Sequence, residues 1–564
     1  MKITIILYLI IFFQFNLLYC HRCGTNLLKN NISTIKITSI EKNKRQLTDI
    51  YRPINIKVDM TYLKSQHLLD EEKISKLETI FAETIQSMSS IISVQHYIIN
   101  DDVSNSIKEL CGIPTFDPEL NTGFIQYDVL IFPLVDNDQI LANNVLAAAT
   151  PCLISNSNYK PMAGIVLINK DLTFQKYDSK FYMKNLLFHE LTHVLGFHPT
   201  FFNNLNLIYT KTINNEEYTY IKSPKVLEKA KIHFGCDNIK GLQLENQGQT
   251  GSVGSHWESR YMLGDYMISS DYTEVVISDI TLALLEDTGF YKIKYYTGGL
   301  FRFGKNQGCA FLEKKCLYNK GEDTSFSNEF CTIQLEPTCA GSHISRGDCY
   351  IKNYPYQLND KYRYYQDRKI GGMIVTDYCP VSFIYETKNN DYYYPKSCKH
   401  GKKENEYEVI GENSMCFESS LDLSEKETIC YEISCDRSNK QFTVYLGERY
   451  ITCPGNEIII ENSNGFSGEI KCPNYNLICT SEKWCNDMFD CIEKGSEWDL
   501  STYDYINNKQ ALLQRDNINL AINDANDFDD HNSKLQLKKY LLFFYYFYYL
   551  YLFLIHNNLK LKKI

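Results

Sequence analysis

The N-terminal half of the chain alternates between strand-like and helix-like patterns of apolar residues. Residues 54–58 (Ile-Asn-Ile-Lys-Val) alternate apolar and polar side chains, which is the period of a strand. Over residues 70–92 the apolar positions recur every three to four residues instead, which predicts an amphipathic helix. Further strands are predicted at 127–134 and 165–168, and a second helix at 181–197. Strands that alternate with helices in this way predict a mixed α/β subdomain.

The pattern changes in the second half, where short β-like runs stand among cysteine, glycine and proline residues. The clearest of these runs are 442–446 and 457–460. Of the 20 cysteines, 15 lie between Cys309 and Cys491, a density that the reducing cytosol rarely supports. We therefore expect a disulfide-stapled C-terminal domain and a route through the secretory pathway. Apart from the two cysteines near the N-terminus, 18 remain, which permits nine disulfides without fixing their pairing.

Both ends of the chain carry apolar runs that agree with a secretory route. Lys2 and the apolar run 3–13 have the charged and hydrophobic parts of a signal peptide. Residues 540–555 are 16 consecutive Leu, Phe, Tyr and Ile residues, about 24 Å long as a helix against a hydrocarbon core of about 30 Å. This tail is expected to be either a short membrane span or the signal for a glycolipid anchor. We expect a membrane-tethered protein of the cell surface, or an extracellular one.

Composition and charge exclude other classes of protein. Of the 564 residues, 44% are hydrophobic and 22% are charged, which are ordinary values for a globular protein. The 58 Lys and Arg residues against 68 Asp and Glu residues give a net charge of −10. A chain with this balance has no general attraction for nucleic acid, so no nucleic-acid partner is expected.

The clearest chemical signal is the run His189-Glu190-Leu191-Thr192-His193 in the second predicted helix. Residues four apart lie on one face of a helix, so both imidazoles can reach one metal ion. Glu190 is turned about 100° away and misses the ion, but it can reach a water bound to it. Zinc suits neutral imidazoles and lowers the pKa of its water to about 7. This spacing predicts zinc-dependent hydrolysis with Glu190 as the general base; a helix with two incidental histidines is the alternative.

A catalytic zinc ion needs a third protein ligand. A closely spaced third histidine would stand at position 199, which is Pro199, and His198 is expected to be a loop residue. The distant candidates are Glu216 or Glu217, on a second helix, and His256. The residues around the two glutamates are typical of an exposed turn, whereas glycines before His256 would let a loop carry it under the helix. These observations favour His256.

Together these motifs resemble the leishmanolysin family of surface zinc endopeptidases, metzincins with a long insertion before their third histidine. The resemblance covers residues 52 to at least 316, and more loosely the cysteine-rich part. The segments that carry it are His189 to Phe197 (H-E-x-x-H-x-x-G-F), 255–258 (S-H-W-E), the methionine turn at Met267, 287–291 and 303–311.

This resemblance implies an α+β fold. A metzincin-type core, with a mixed sheet and an active-site helix, would precede a disulfide-rich, mainly β C-terminal domain. It also implies that His189, His193 and His256 bind one catalytic zinc ion, that Glu190 is the base, and that Met267 packs beneath the metal.

A further match lies near the N-terminus, where His21-Arg-Cys23 resembles the inhibitory motif of the family's leader. A thiolate is a good zinc ligand, so Cys23 is a candidate for the fourth position in a latent form of the enzyme. The alternative is a Cys20–Cys23 disulfide in a chain whose signal peptide is not removed between them.

The chain is therefore expected to consist of seven segments. These are a signal peptide (1–20), a leader (21–50), an N-terminal catalytic subdomain (51–197), a central subdomain with the third histidine and the methionine turn (198–305), a cysteine-rich domain (306–495), a polar stalk (496–539) and the hydrophobic tail (540–564).

The predicted function is zinc-dependent endopeptidase activity on protein or peptide substrates. One alternative is an inactive adhesion or interaction protein on the same fold, with the cysteine-rich part as its working module. Such a protein would be expected to lack Glu190 or a metal ligand, and this chain retains all of them. Another alternative is a zinc peptidase that uses Glu216 or Glu217 as its third ligand.

Overall fold

The computed structural model describes most of the chain between residues 51 and 479. The described residues are 33–35, 51–95, 104–121, 127–136, 141, 145–176, 180–248, 251–270, 275–294, 301–317, 329–341, 343–383, 396–398, 401–411, 413–436 and 438–479. All of them belong to one compact unit that ends at Tyr503. The predicted signal peptide, Cys23, the stalk and the tail lie outside these residues. Among the helices that are described, none has both the length and the apolar character needed to cross a membrane.

The first part of the structure, up to residue 313, mixes helices and strands. Its strands are β1 (Ser33–Ile35), β2 (Tyr51–Pro53), β3 (Ile56–Val58), β4 (Ile92–Gln95), β5 (Val129–Val135), β6 (Ala147–Ser155), β7 (Pro161–Ile168), β8 (Ile208–Ile213), β9 (Glu216–Ile221), β10 (Leu242–Gln243) and β11 (Tyr291–Ile293). Its α-helices are α1 (Thr61–Ser65), α2 (Glu71–Ile91), α3 (Ser104–Leu110), α4 (Lys170–Lys176), α5 (Lys180–Leu195), α6 (Pro199–Asn204), α7 (Pro224–Phe234), α8 (Ser259–Met262), α9 (Asp279–Asp287) and α10 (Cys309–Glu313), with a 3₁₀ turn at Pro118–Asn121.

A five-stranded mixed sheet in the order β1-β6-β7-β5-β3 forms the centre of this part. Strand β6 is antiparallel to β7, whereas the other neighbouring pairs are parallel. Successive residues of β5 enter different apolar clusters: Val129 and Ile131 join the main core, and Leu130 and Phe132 join a cluster on the other face. Because both faces of the sheet are covered, its central strands are apolar throughout rather than alternating.

The predicted elements of this part are largely confirmed. Helix α2 begins after Asp70, whose side chain accepts a hydrogen bond from the Lys73 amide as an N-cap. Its buried side chains, including Leu77 and Phe81, form the stripe that the periodicity predicted. The strand predicted at 54–58 is shorter and covers only β3, and strand β6 was not predicted, because nine consecutive buried residues show no alternation.

The second part consists mainly of short strands. They are β12 (Pro337–Cys339), β13 (Arg346–Tyr350), β14 (Lys352–Asn353), β15 (Ile370–Gly371), β16 (Val381–Phe383), β17 (Ser414–Ser419), β18 (Glu427–Asp436), β19 (Gln441–Leu446), β20 (Arg449–Cys453), β21 (Ile458–Glu461) and β22 (Glu469–Cys472), with helix α11 (Tyr475–Ile478) and 3₁₀ turns at Asp360–Tyr362 and Ile374–Thr376. Strands β17 to β22 form a six-stranded antiparallel sheet in the order β20-β19-β18-β17-β22-β21. The strands predicted at 442–446 and 457–460 are confirmed as β19 and β21.

Eight disulfides join cysteines of the described residues. They are Cys111–Cys152, Cys236–Cys309, Cys316–Cys379, Cys331–Cys349, Cys339–Cys416, Cys398–Cys430, Cys435–Cys479 and Cys453–Cys472. The predicted fold class, a mixed core followed by a disulfide-rich and mainly β region, is confirmed.

Candidate metal centre

Helix α5 carries two of the histidines that the sequence singled out. The helix packs closely on the sheet, because Gly164 on β7 has no side chain and a Cβ there would overlap Val194. His189 and His193 are one helical turn apart and therefore project from the same face. Both residues are buried. The packing of α5 thus fixes the direction of two imidazoles.

A loop held by backbone hydrogen bonds carries the third histidine. The carbonyl of His256 accepts a hydrogen bond from the Glu245 amide at 2.9 Å. The next residue, Trp257, donates its backbone N–H to the Met267 carbonyl at 3.0 Å and its indole N–H to Thr281 Oγ1 at 2.7 Å. The loop of His256 is therefore attached to the turn that contains Met267.

The three imidazole rings converge on one point. Nε2 of His189 lies 3.0 Å from Nε2 of His193 and 3.3 Å from Nε2 of His256. One potential ligand atom from each of the three residues lies within 4.8 Å of the other two. Within the part of the chain that the structure describes, no other group of three or more His, Cys, Asp or Glu residues meets this condition.

Backbone carbonyls determine which nitrogen carries the proton in each of the three imidazole rings. Each ring directs Nδ1 at a carbonyl oxygen: His189 at Tyr266 (2.6 Å), His193 at Phe197 (2.7 Å) and His256 at Ser252 (3.0 Å). A carbonyl oxygen only accepts hydrogen bonds, so each Nδ1 carries the proton and donates. In the neutral ring, Nε2 then presents its lone pair to the point where the rings meet.

Burial keeps these imidazoles neutral. It lowers the pKa of His189 to about 4 and that of His256 to about 3. The pKa of His193 lies well below its ordinary value, because the ring is buried and faces the other two histidines. Neutral imidazole is the form that binds a metal ion.

The arrangement fits a tetrahedral ion with nitrogen ligands. Two nitrogens that each lie about 2.0–2.1 Å from a tetrahedral zinc ion are about 3.3 Å apart, close to the observed separations of 3.0 and 3.3 Å. Three uncharged lone pairs directed at one another in a buried site would be unfavourable without a cation between them. The chemistry of the three donors and their spacing therefore fit a metal ion.

Comparison with known proteins agrees with this geometry. Residues 53–485, most of the chain, match the sequence profile of the leishmanolysin peptidases. The chain belongs to the leishmanolysin family. The resemblance expected from the motifs is thus confirmed, and homologues in this family are metalloendopeptidases.

Individual leishmanolysin relatives are similar over part of the chain. A leishmanolysin homolog of Crithidia fasciculata is 29% identical over 365 residues, which are 60% of this chain and 53% of the relative. Leishmanolysin of Leishmania tropica is 28% identical over 294 residues, which are 50% of this chain and 43% of the relative. A leishmanolysin-like peptidase of Caenorhabditis elegans is 32% identical over 232 residues, which are 36% of this chain and 35% of the relative. The chain thus spans about half the length of the first two of these relatives.

The other ligand candidates lie away from the three rings. Glu216 forms an ion pair with Lys361, and Glu217 is exposed. The stretch from Asn214 to Thr219, predicted to be an exposed turn, does contain a turn, made by Asn214 and Asn215 with φ angles of 52° and 64°, but the glutamates themselves begin strand β9. The two glutamates therefore lie on a strand of a hairpin, and not on the second helix expected for a glutamate ligand.

His198 also remains outside the group of three histidines. It precedes helix α6 and accepts a hydrogen bond from the Thr200 amide as its N-cap, with Nε2 3.4 Å from Thr150 Oγ1. The expectation of a loop residue is therefore refined to a buried helix cap. Burial lowers the pKa of this imidazole to about 3.

The other two predicted residues that the structure describes, Glu190 and Met267, are both buried. Glu190 follows His189 on helix α5, and Met267 follows Tyr266, whose carbonyl accepts from His189. The carbonyls of Tyr266, Phe197 and Ser252 were not predicted as partners of the three rings. No sequence signal marks them, since every residue has a carbonyl and only the fold selects which one meets a ring.

Proposed function

We propose that this chain is a zinc-dependent endopeptidase that hydrolyses peptide bonds in protein substrates. The observation that carries the proposal is the convergence of three neutral imidazoles whose Nδ1 atoms all donate to carbonyls. Membership of a metalloendopeptidase family supports it. Retention of the HExxH glutamate favours a peptidase over an adhesion protein on the same fold.

In this proposal His189, His193 and His256 would hold the ion through Nε2. When bound, zinc supplies a water of lowered pKa and polarises the carbonyl of the scissile peptide. Glu190 is the general base: its carboxylate accepts a proton from the attacking water and returns it to the leaving amine. Met267 packs beneath the three rings as a support for the site.

We further propose that the enzyme works at the cell surface or in the extracellular space. Eight disulfides in the described residues support an oxidising compartment.

Residues 540–564 would tether the protein, as a membrane span or a lipid-anchor signal, and removing them should release active protein into the medium. Cys23 would keep the uncut enzyme latent, so Cys23→Ala should make the uncut form active.

The test measures zinc content and casein hydrolysis of the leader-free chain, with and without a chelator. We expect about one zinc ion per chain and activity that the chelator abolishes. His256→Ala should lose most zinc and activity, whereas Glu216→Ala with Glu217→Ala should keep both and serves as the matched control. Full zinc occupancy in His256→Ala, with zinc lost from the glutamate variant, would overturn the ligand assignment.

A further inference from the structure

Asp265 is a buried carboxylate in the turn that leads to Met267. Its Oδ1 accepts a hydrogen bond from the Met267 amide at 2.7 Å. Its Oδ2 accepts one from Ser278 Oγ at 2.5 Å and one from Thr281 Oγ1 at 2.8 Å. One carboxylate thus satisfies three donors from two different segments, the turn itself and the start of helix α9.

The Oδ1 side of Asp265 leads to His189. Tyr266 lies between Asp265 and Met267, and its carbonyl accepts the hydrogen bond from His189 Nδ1 at 2.6 Å. The Tyr266 side chain also contacts the helix of His189, because its hydroxyl lies 3.2 Å from Thr192 Oγ1. Closing the turn through Asp265 therefore fixes the carbonyl that orients the His189 ring.

The Oδ2 side leads to His256. Thr281 Oγ1 donates to Asp265 and accepts from the indole N–H of Trp257 at 2.7 Å. Trp257 adjoins His256 and donates its backbone N–H to the Met267 carbonyl at 3.0 Å. Asp265 therefore holds the residue whose carbonyl orients His189 and, through Thr281, the residue that follows His256, without a hydrogen bond of its own to either ring.

We propose that Asp265 is a positioning residue that sets His189 and His256 relative to each other. The proposal rests on the proposed function, since it concerns the same three imidazoles. Groups behind the metal ligands commonly change metal affinity 10- to 100-fold when they are altered. A carboxylate is required here because an amide has a single acceptor oxygen. In Asp265→Asn either the Met267 amide or the hydroxyls of Ser278 and Thr281 lose their acceptor.

The test compares Asp265→Asn with Asp128→Asn in the leader-free protein. Asp128 is a suitable control because it is also buried and accepts several hydrogen bonds, from Arg52 (2.7 and 3.0 Å) and from the Asn55 amide (2.8 Å), and neither of these donors belongs to the Met267 turn or to the loop of His256. Zinc affinity is measured by competition with a chelator. The absorption spectrum of the cobalt-substituted protein reports ligand geometry independently of activity.

We expect Asp265→Asn to bind zinc roughly 10- to 100-fold more weakly, to change the cobalt spectrum, and to lower kcat more than it changes KM. Asp128→Asn should keep the parental affinity and spectrum even where it lowers stability. If Asp265→Asn folds poorly, Thr281→Val and Ser278→Ala remove one donor each and should give smaller changes in the same direction.

Three outcomes would overturn the proposal. Parental affinity and spectrum in Asp265→Asn would show that the carboxylate does not position the ligands. Equal losses in Asp265→Asn and Asp128→Asn would show a general effect of lower stability. A parent protein that binds no zinc would remove the proposed function itself, and the positioning proposal with it. The parent measurement therefore separates failure of the function from failure of the inference.

Discussion

The two parts of the described structure hold their interiors together by different means. Up to residue 313, helices and strands share a large apolar core that continues as far as Val381, and two disulfides, Cys111–Cys152 and Cys236–Cys309, join its segments. Beyond that point six disulfides link short strands and the loops between them, and the separate core of the six-stranded sheet is much smaller. Small cores stabilise a fold poorly by themselves, so covalent links take over part of that role.

This difference bears on where the metal centre can lie. The three imidazoles stand on a helix and a loop whose positions depend on packing and on a dense set of hydrogen bonds. Such an environment can hold ring nitrogens to within a few tenths of an ångström, which a metal site requires. Changes to packing in the first part should therefore reach the site, whereas opening a disulfide within the six-stranded sheet should remain local.

The largest expected effect is on catalysis and comes from Glu190→Gln. General acid–base catalysis contributes about 10²- to 10⁴-fold, and we expect kcat/KM to fall by at least that factor with zinc content unchanged. The measurement is hydrolysis of a fluorogenic casein beside metal analysis of the same sample. Glu217→Gln is the control, because Glu217 is an exposed carboxylate on β9, and this variant should keep the activity and zinc content of the parent. Activity above a tenth of the parent would remove Glu190 from the mechanism.

Opening one disulfide at a time should show most clearly that the two parts of the structure are stabilised by different contacts. Cys453→Ser with Cys472→Ser opens a link with a sequence separation of 19 residues, which should cost about 3 kcal/mol of stability. Amide exchange should accelerate in β19 to β22, while zinc binding is retained. Opening Cys111–Cys152 should instead accelerate exchange in the sheet that packs on α5. If both changes loosen both regions equally, the comparison between them is wrong.

A change in packing beside α5, unlike the loss of a disulfide in the six-stranded sheet, should weaken zinc binding. In Gly164→Ala the new methyl group overlaps Val194 on α5, and overpacking of this kind costs about 1–3 kcal/mol. We expect weaker zinc binding as well, because α5 carries two of the ligands. Gly411→Ala is the matched control, since no atom lies within 4 Å of a Cβ there. Urea unfolding and zinc titration of both variants check this, and equal behaviour would contradict it.

The smallest effect concerns pH and the carboxyl of Glu329. Burial raises its pKa from 4.5 to about 8. The folded state therefore holds a proton that the unfolded state releases, and stability from this group is lost as pH rises from 4.5 through 8. Between pH 7 and pH 8 the parent should lose about 1 kcal/mol more stability than Glu329→Gln, which does not titrate. Chemical denaturation at both pH values measures the difference, and parallel losses would show that the folded carboxyl titrates normally.

Local patterns of apolar residues were sufficient to predict the elements whose side chains face one core. Helix α2 was predicted because only one of its sides is buried, so the apolar residues repeat with the helical period. The HExxH spacing likewise fixed that His189 and His193 share a face of α5. Strand β6 escaped prediction because both of its faces are covered, which removes the period-two signal. The turn predicted for residues 214–219 is limited to Asn214 and Asn215, and the residues after it form β9, because a polar, partly exposed strand has no clear apolar pattern that separates it from a turn.

The contacts between groups that are distant in the chain depend on the packing of the whole fold. The sequence favoured His256 as the partner of the helix histidines, but its 63-residue separation from His193 is closed by contacts that no local pattern encodes. The same holds for the three carbonyls that accept hydrogen bonds from Nδ1, for the Asp265 carboxylate that joins two segments, and for the pairing of 16 cysteines. Local periodicity reports the burial of one element. Long-range contacts depend on how all elements pack, and every residue offers the same backbone groups until packing selects among them.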